Sequence, residues 1–232
     1  MIGLRRGVGG AVVDPNLKLE LKFNVTNYTD LAATVAANTN DYVRAWKSSV
    51  GGHVFSQSTD AARPQRQPTG MYFDGGDWVT MAGSSFDFGT GDFTVAAWVN
   101  VATLAHDNSI FCRITTWASS MAYYLRVTSL GAVDFYGGNS TAIAISSASS
   151  LILANTWAHV AAIRSNGVTK IYINGLQSGG THTGSVSISN SAPLDIGTFS
   201  RTSHFFEGKM TDIVIYDKAL YTANFTPPAR SS

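Results

Sequence analysis

The chain has 232 residues, of which 44% are apolar and 11% aromatic, so it can bury a full core and is not a disordered chain. Charged residues reach only 13% and the net charge is +1, which excludes a steering field for nucleic acid. Cys112 is the single cysteine, so no internal disulfide can form, and its apolar surroundings at 109–114 predict a buried free thiol. Ser, Thr, Asn and Gly take the place of charge. Such a surface suits packing against neighbours or contact with sugars.

Residues 1–16 read as an N-terminal arm, broken by Gly3, Gly7, Gly9 and Gly10, carrying Arg5 and Arg6, and closed by Asp14-Pro15. The arm lacks the apolar stretch of a signal peptide, and no run approaches a membrane span. The expectation is synthesis in a cytoplasm, no signal-directed export and no membrane insertion. Residues 17–232 read as one folded domain. In 17–23, Leu17, Leu19, Leu21 and Phe23 alternate with Lys18, Glu20 and Lys22, a strand with one buried face. The alanines of 30–46 permit a short helix, but Asn38, Asn40 and scattered β-branched residues favour loop and strand. Residues 63–69, with two prolines, predict an extended connector.

A strand at 71–73 then enters the turn Asp74-Gly75-Gly76-Asp77 and is followed by 78–81. In 93–101 both alternating sets are largely apolar, as in a strand between two layers. Short runs follow at 109–115, 121–128, 132–136, 141–145, 156–164, 169–173, 185–188, 194–196 and 210–216. Turn signals separate them: Gly137-Gly138-Asn139, Ser165-Asn166-Gly167, Asn174-Gly175 and Gly179-Gly180. This many short strands with Gly/Asn turns predicts an all-β sandwich or barrel.

Three segments together resemble the laminin-G-like branch of the concanavalin A-like lectin/glucanase superfamily. The first is Phe86-Asp87-Phe88 with Gly91-Asp92-Phe93-Thr94-Val95-Ala96-Ala97-Trp98-Val99. The second is Trp157-Ala158-His159-Val160-Ala161, Arg164 and Lys170-Ile171-Tyr172-Ile173-Asn174-Gly175. The third is Leu194-Asp195-Ile196-Gly197, then Phe206 through Tyr216, then Ala219-Leu220. The resemblance covers roughly residues 70–225 and implies a jelly-roll sandwich of two antiparallel sheets. Asn174-Gly175 fits a hairpin turn; Gly197 and Gly208 bracket a sharply turning loop; Trp157 and Tyr172 are expected as inter-sheet anchors. More loosely, Asp41-Tyr42-Val43-Arg44-Ala45-Trp46, Gln57, Ala62-Arg63-Pro64 and Phe73-Asp74-Gly75 look like the lead-in of laminin-G-like proteins of bacteriophages. That implies a virion surface protein on a head or tail, with other virion proteins and further copies of itself as partners.

Laminarinase-type relatives use two glutamates on one strand with an aspartate between them. This chain has only Glu20 and Glu207, in different segments, so the expectation is a non-enzymatic protein. The histidines His53, His106, His159, His182 and His204 are scattered without metal spacing. His159 reads as a buried, satisfied structural residue. The resemblance also implies a candidate structural calcium near the first and last strands, with Asp74, Asp77 and Asp212 as the oxygen ligands. The alternative is that Asp74 and Asp77 cap a turn and Asp212 lies on the surface.

Sugars stack an apolar face on a ring while amides and charged groups take their hydroxyls. The candidate glycan contacts are Trp117, Tyr136 with Asn139, His182, and Arg201 with His204 and Phe205. Packing against a neighbouring loop or subunit is the competing reading of each. The leading expectation is a virion protein displaying a lectin-like domain for cell-surface glycans. The alternative is a free carbohydrate-binding protein or glycoside hydrolase of the same superfamily.

Overall fold

The computed structural model describes residues 13–22, 28–29, 41–83, 85–114, 121–138 and 142–231. Most of the arm, residues 1–12, lies outside them. In chain order the strands are β1 (Leu17–Leu21), β2 (Tyr28–Thr29), β3 (Ala45–Lys47), β4 (Val54–Ser56), β5 (Gln65–Gln67), β6 (Gly70–Asp74), β7 (Val79–Met81), β8 (Phe93–Val101) and β9 (Asn108–Ile114). They continue as β10 (Met121–Val127), β11 (Val133–Gly137), β12 (Ile143–Ser146), β13 (Trp157–Ser165), β14 (Val168–Ile173), β15 (Leu176–Thr183), β16 (Leu194–Ile196) and β17 (Glu207–Tyr216). One 3₁₀ turn spans Asp60–Ala62.

The strands form the predicted jelly-roll sandwich. Sheet A has the order β15-β14-β13-β8-β17-β6-β5, with β1 also on β17, and sheet B the order β12-β11-β10-β9-β16-β7-β4-β3-β2. Alternation supplies the core between them: Phe93, Val95, Ala97, Val99 and Val101 of β8 face Phe111, Leu125 and Phe135 of sheet B's strands, all without exposure. Phe93 stacks on Phe88 at 4.8 Å and Phe135 lies 5.5 Å away.

The opposite face of β8 is also covered, which explains why both of its alternating sets are apolar. Its cover is the C-terminal segment 217–231, a strap across sheet A. The Thr94 hydroxyl donates to the Lys218 carbonyl (2.9 Å) and Trp98 Nε1 to the Pro228 carbonyl (3.2 Å). The Phe225 amide donates to the Gly175 carbonyl at 2.9 Å. Asn174 (φ +50°) and Gly175 (φ +78°) make the predicted positive-φ hairpin turn, and a Cβ on Gly175 would overlap the Phe225 carbonyl oxygen.

Two expected anchors take another place. Tyr172 is buried, but it lies between the inward-facing Ile171 and Ile173 and so points outward, against Phe225 of the strap at 5.4 Å. Trp157 is half-buried, with the Arg230 guanidinium 4.4 Å from its ring. The inter-sheet anchors are instead the phenylalanines named above with Tyr123, Phe73 and Trp46.

The run 185–188 is not a strand and contributes only the bridge between Gly89 and Ile188. The strand there is β15, which passes through the expected turn Gly179-Gly180. As an edge strand with mostly exposed residues it carries no buried face for the sequence to reveal. The connector 63–69 contains the short edge strand β5. The alternatives for 30–46 are settled only from 41 onward, where β3 forms; 30–40 lies outside the described residues.

Arg164, in the second motif, is fully buried and ties three loop carbonyls together. It donates to Gly91 (2.7 Å), Val186 (2.6 Å) and Gly89 (2.8 Å). Its charge is thereby satisfied in the interior.

Candidate functional site

Cross-strand register builds one row of side chains across the outer face of sheet B: Ser56, Thr80, Asp195, Cys112, Tyr124, Tyr136 and Ala144. These residues alternate with core residues such as Val79, Ile196, Phe111, Leu125 and Phe135, which fixes the face they occupy. The loop from Gly197 to Phe206 folds over this row. Gly197 starts it at φ +86°, where a Cβ would strike the Phe73 ring.

Three side-chain-bearing residues of this loop also have left-handed backbone: Ser200 (φ +53°), Arg201 (φ +61°) and His204 (φ +47°). Each such residue costs roughly 1–2 kcal/mol, so surrounding contacts must hold the loop in place. For Arg201 those contacts are plain. Its Nε donates to both Asp195 oxygens (3.2 and 3.0 Å), and its Nη2 donates to Asp195 Oδ1 and Thr80 Oγ1, each at 2.9 Å. Thr80 in turn donates to Asp195 at 2.5 Å. The guanidinium carbon lies 4.9 Å from the Trp78 ring centre. Asp195 is 2% exposed while Arg201 is exposed, so a buried carboxylate orients a surface cation. Beside it is a cavity of about 240 Å³ lined by Ile114, Pro193, Asp195, Ser200 and Arg201.

The other end of the row is aromatic. Tyr124 is fully buried, with Tyr136 stacked at 6.2 Å, Phe199 at 4.8 Å and His204 at 6.4 Å. Its hydroxyl is 3.1 Å from His204 Nδ1. Burial pushes the Tyr124 phenol well above its ordinary value and pulls His204 below its own, so both are neutral near pH 7. Arg126 bridges Asp134 (2.8 Å) and Asp107 (2.7 Å), with its guanidinium 5.5 Å from the half-buried Tyr136 ring. Cys112 is buried in the middle of the row, and burial pushes its thiol well above the ordinary value. It is an unreactive packing group.

Of the residues expected to meet a glycan, Tyr136, Arg201 and His204 share this face, and Phe205 is half-buried at the end of the same loop. His182 does not join them. It lies on β15 of sheet A, in register with Thr169, and its Nε2 has no hydrogen-bond partner among the described residues. Trp117 and Asn139 lie outside the described residues. Sequence reasoning missed Trp78, Thr80, Asp195, Arg126 and Phe199. The only local signal was a polar residue between two apolar ones in Leu194-Asp195-Ile196, because cross-strand register is not written in the chain order.

The residues considered for calcium are not brought together. Asp77 accepts the Asp74 amide (3.0 Å) and Asp74 accepts the Gly76 amide (2.9 Å), capping their turn. Asp77 is 2% exposed, and burial raises its carboxyl to about 7. Asp212, at φ +50° in a bulge of β17, accepts the Ser231 amide (2.7 Å) and hydroxyl (2.6 Å). Asp74 pairs with Glu207, and Asp212 is five residues further along β17, roughly 16 Å away. Among the described residues, no three His, Cys, Asp or Glu side chains converge to hold a metal.

The fold recurs in solved structures. Trypanosoma rangeli sialidase in complex with 2,3-difluorosialic acid superposes with a TM-score of 0.64 at 16% identity, over 92% of this chain and 32% of that one. The binding domain of Paraclostridial Mosquitocidal Protein 1 gives 0.54 at 15% identity, over 89% of this chain and 50% of that one. The Ruminococcus gnavus IT-sialidase CBM40 bound to α2,3 sialyllactose gives 0.54 at 13% identity, over 66% of this chain and 91% of that one. The chain thus spans about a third of the sialidase, and identities this low establish the fold alone. No curated protein matches the chain in sequence. A family profile described as the concanavalin A-like lectin/glucanases superfamily matches residues 73–224, about two-thirds of the chain. With the two-sheet sandwich and the three motifs inside that span, the chain belongs to the concanavalin A-like lectin/glucanases superfamily.

Proposed function

We propose that this chain is a non-enzymatic lectin-like domain of a virion surface protein, and that it binds glycan on the outer face of sheet B. The observation carrying the binding site is Arg201. Its left-handed backbone is sustained by a buried carboxylate, a threonine hydroxyl and an indole, next to a cavity floored by Ile114 and Pro193. Its Nη1 makes no hydrogen bond to the described residues and is a donor for a sugar hydroxyl or carboxylate. Tyr136, Phe199 and Trp78 are the half-buried rings on which a sugar face stacks. The sugar-bound CBM40 module and the toxin binding domain share the fold and support a binding role by analogy.

Catalysis is the less favoured reading. Glu20 pairs in register with Val214, seven residues along β17 from Glu207, so the glutamates are roughly 20 Å or more apart. Glycosidase carboxyls stand about 5–9.5 Å apart. Asp74 and Asp77 are closer together, but Asp77 is buried beneath the turn. The virion assignment rests on the resemblance of 41–75 to phage proteins and on the weakly charged surface, with neighbouring virion proteins and further copies of the chain as partners. In this reading residues 1–13 dock the domain on the particle.

A glycan array on the full chain, followed by titration of its best ligand, tests the site. Arg201→Ala and Tyr136→Ala should each weaken binding roughly tenfold or more. Unchanged affinity in both variants removes the face from consideration, and release of reducing sugar would establish a hydrolase instead. Normal incorporation of a chain lacking residues 1–13 into particles would remove the docking role of the arm.

A further inference from the structure

One side of the sandwich carries neither charge nor edge protection. The segments 135–163 and 171–194 contain no Asp, Glu, Lys or Arg, and they are the two longest such stretches of the chain. The fold brings them together. The first holds β12, the edge strand of sheet B, and the second holds β15, the edge strand of sheet A. The two edges meet where the Ala148 amide donates to the Ser178 hydroxyl at 3.1 Å. The far edges of both sheets are guarded: β5 sets Arg66 between Pro64 and Pro68, and β2 has only two residues. In contrast, β15 runs for eight residues without a charge or a proline.

Leucines gather on this unguarded side. Leu151 and Leu153 are 42% and 58% exposed, and they flank Ile152, which is fully buried. Leu176, at the start of β15, is 60% exposed. With Leu151, Ala148 and Ile173 it forms the apolar wall of a cavity of about 360 Å³ that no charged residue lines. Leu130, 69% exposed, adjoins them, since its carbonyl accepts the Ser150 amide at 2.9 Å. Among the described residues these four are all of the exposed leucines. Exposed apolar residues scattered singly need no explanation; a cluster of them marks a contact.

We propose that this side is the contact between two copies of the chain in a two-fold symmetric dimer. Charge selects the occupant. About a quarter of the residues of an ordinary protein are charged, and a partner with such a surface would lose the hydration of its ions against these leucines. A second copy presents the same uncharged leucines and loses none. A two-fold axis beside the edge sets one leucine cluster against the other and closes the assembly at two copies. The apolar character suits a homodimer, whose interfaces are more apolar than those of transient complexes. Arg201 lies over β16, with β9, β10 and β11 between it and this edge, so both glycan faces stay open. The dimer rests on the self-association proposed above and gives it a surface; it does not depend on the sugar.

The test is sedimentation equilibrium of the full chain from about 1 to about 100 μM, a range that brackets a micromolar dissociation constant. A monomer–dimer equilibrium should appear, with dimer predominant at the upper end. Leu153→Glu and Leu176→Glu should each weaken it roughly tenfold or more with the melting temperature unchanged, since both side chains are exposed. Tyr42→Glu, at an apolar position that is also exposed but on neither uncharged segment, should dimerise as wild type does, and so should Arg201→Ala. A dimer indifferent to both leucine variants overturns this surface while leaving self-association standing. A chain monomeric at about 100 μM overturns both. Growth beyond two copies overturns the two-fold geometry. A monomer that instead sediments with phosphatidylcholine vesicles through the same leucines assigns the side to a lipid surface and also overturns the proposal.

Discussion

Replacing Asp77 by Asn probes the most perturbed carboxyl near the surface turns. Burial raises its pKa from the ordinary 3.8 to about 7. A carboxyl raised on folding holds its proton more tightly in the native state. Stability therefore falls as pH rises from about 4 to about 7, where the unfolded chain has released the proton and the folded one still keeps it. Above about 7 the penalty is complete and level. A rise of this size is worth roughly 4 kcal/mol at about 1.4 kcal/mol per pH unit. Asn keeps an oxygen to accept the Asp74 amide but carries no charge. Urea unfolding of wild type and Asp77→Asn at pH 4 to 8 should give curves that agree at the acid end. The variant should then become more stable by up to about 4 kcal/mol at pH 8. Other titrating groups cancel in the difference. A difference independent of pH would refute the reasoning. A calcium ion held at Asp74 and Asp77 would change the outcome in a recognisable way: the wild type would lose its pH dependence in calcium and recover it in chelator.

Arg164→Met keeps the apolar stem but strips three loop carbonyls of their donor, and should cost about 3–5 kcal/mol in urea unfolding. A cost below about 1 kcal/mol would show that water replaces the guanidinium. Gly175→Ala meets a positive φ and the Phe225 carbonyl together, so it should lower stability by more than about 1–2 kcal/mol and open residues 217–231 to protease. Cys112 should resist a thiol reagent in the native protein and react at the rate of unfolding; prompt native-state labelling would contradict its burial.

The sandwich was legible because period-two alternation and Asn-Gly turns are local signals. Phe93 through Val101 announced a strand covered on both faces, and Asn174-Gly175 announced its hairpin. The identity of the second cover was not legible: nothing in 217–231 alternates, and the segment is held by bonds to Thr94, Trp98 and Gly175, far away in the chain. For the same reason Tyr172 and Trp157 looked like inter-sheet anchors, since a large ring reads alike against a sheet or beneath a strap. In the candidate site, Arg201, His204 and Tyr136 could be nominated as polar or aromatic residues near turns. Asp195 and Thr80, which set the direction of Arg201, could not, because Asp195 meets it only when the loop from Gly197 folds back over β16, and Thr80 only through the pairing of β16 with β7.

The two sheets are covered in different ways. Sheet A wears a strap fixed at several points, through Thr94, Trp98 and Gly175. Sheet B wears a loop of ten residues whose backbone includes three side-chain-bearing residues in left-handed geometry. Such a loop is held by its own backbone hydrogen bonds, Phe206 to Gly197 and Phe199 to Ser203, and by Asp195, Thr80, Trp78 and Tyr124, which fix its side chains from below. A surface arginine prepared in that way loses little rotamer freedom when a ligand arrives, so more of its interaction energy appears as affinity. This argument separates Asp195 from Arg201 experimentally. Asp195→Asn keeps a hydrogen-bond acceptor but removes the charge that anchors the guanidinium, so it should weaken glycan binding by a few-fold while Arg201 remains present. Affinity identical to wild type in Asp195→Asn would mean that the buried carboxylate only packs the loop and does not prepare the site.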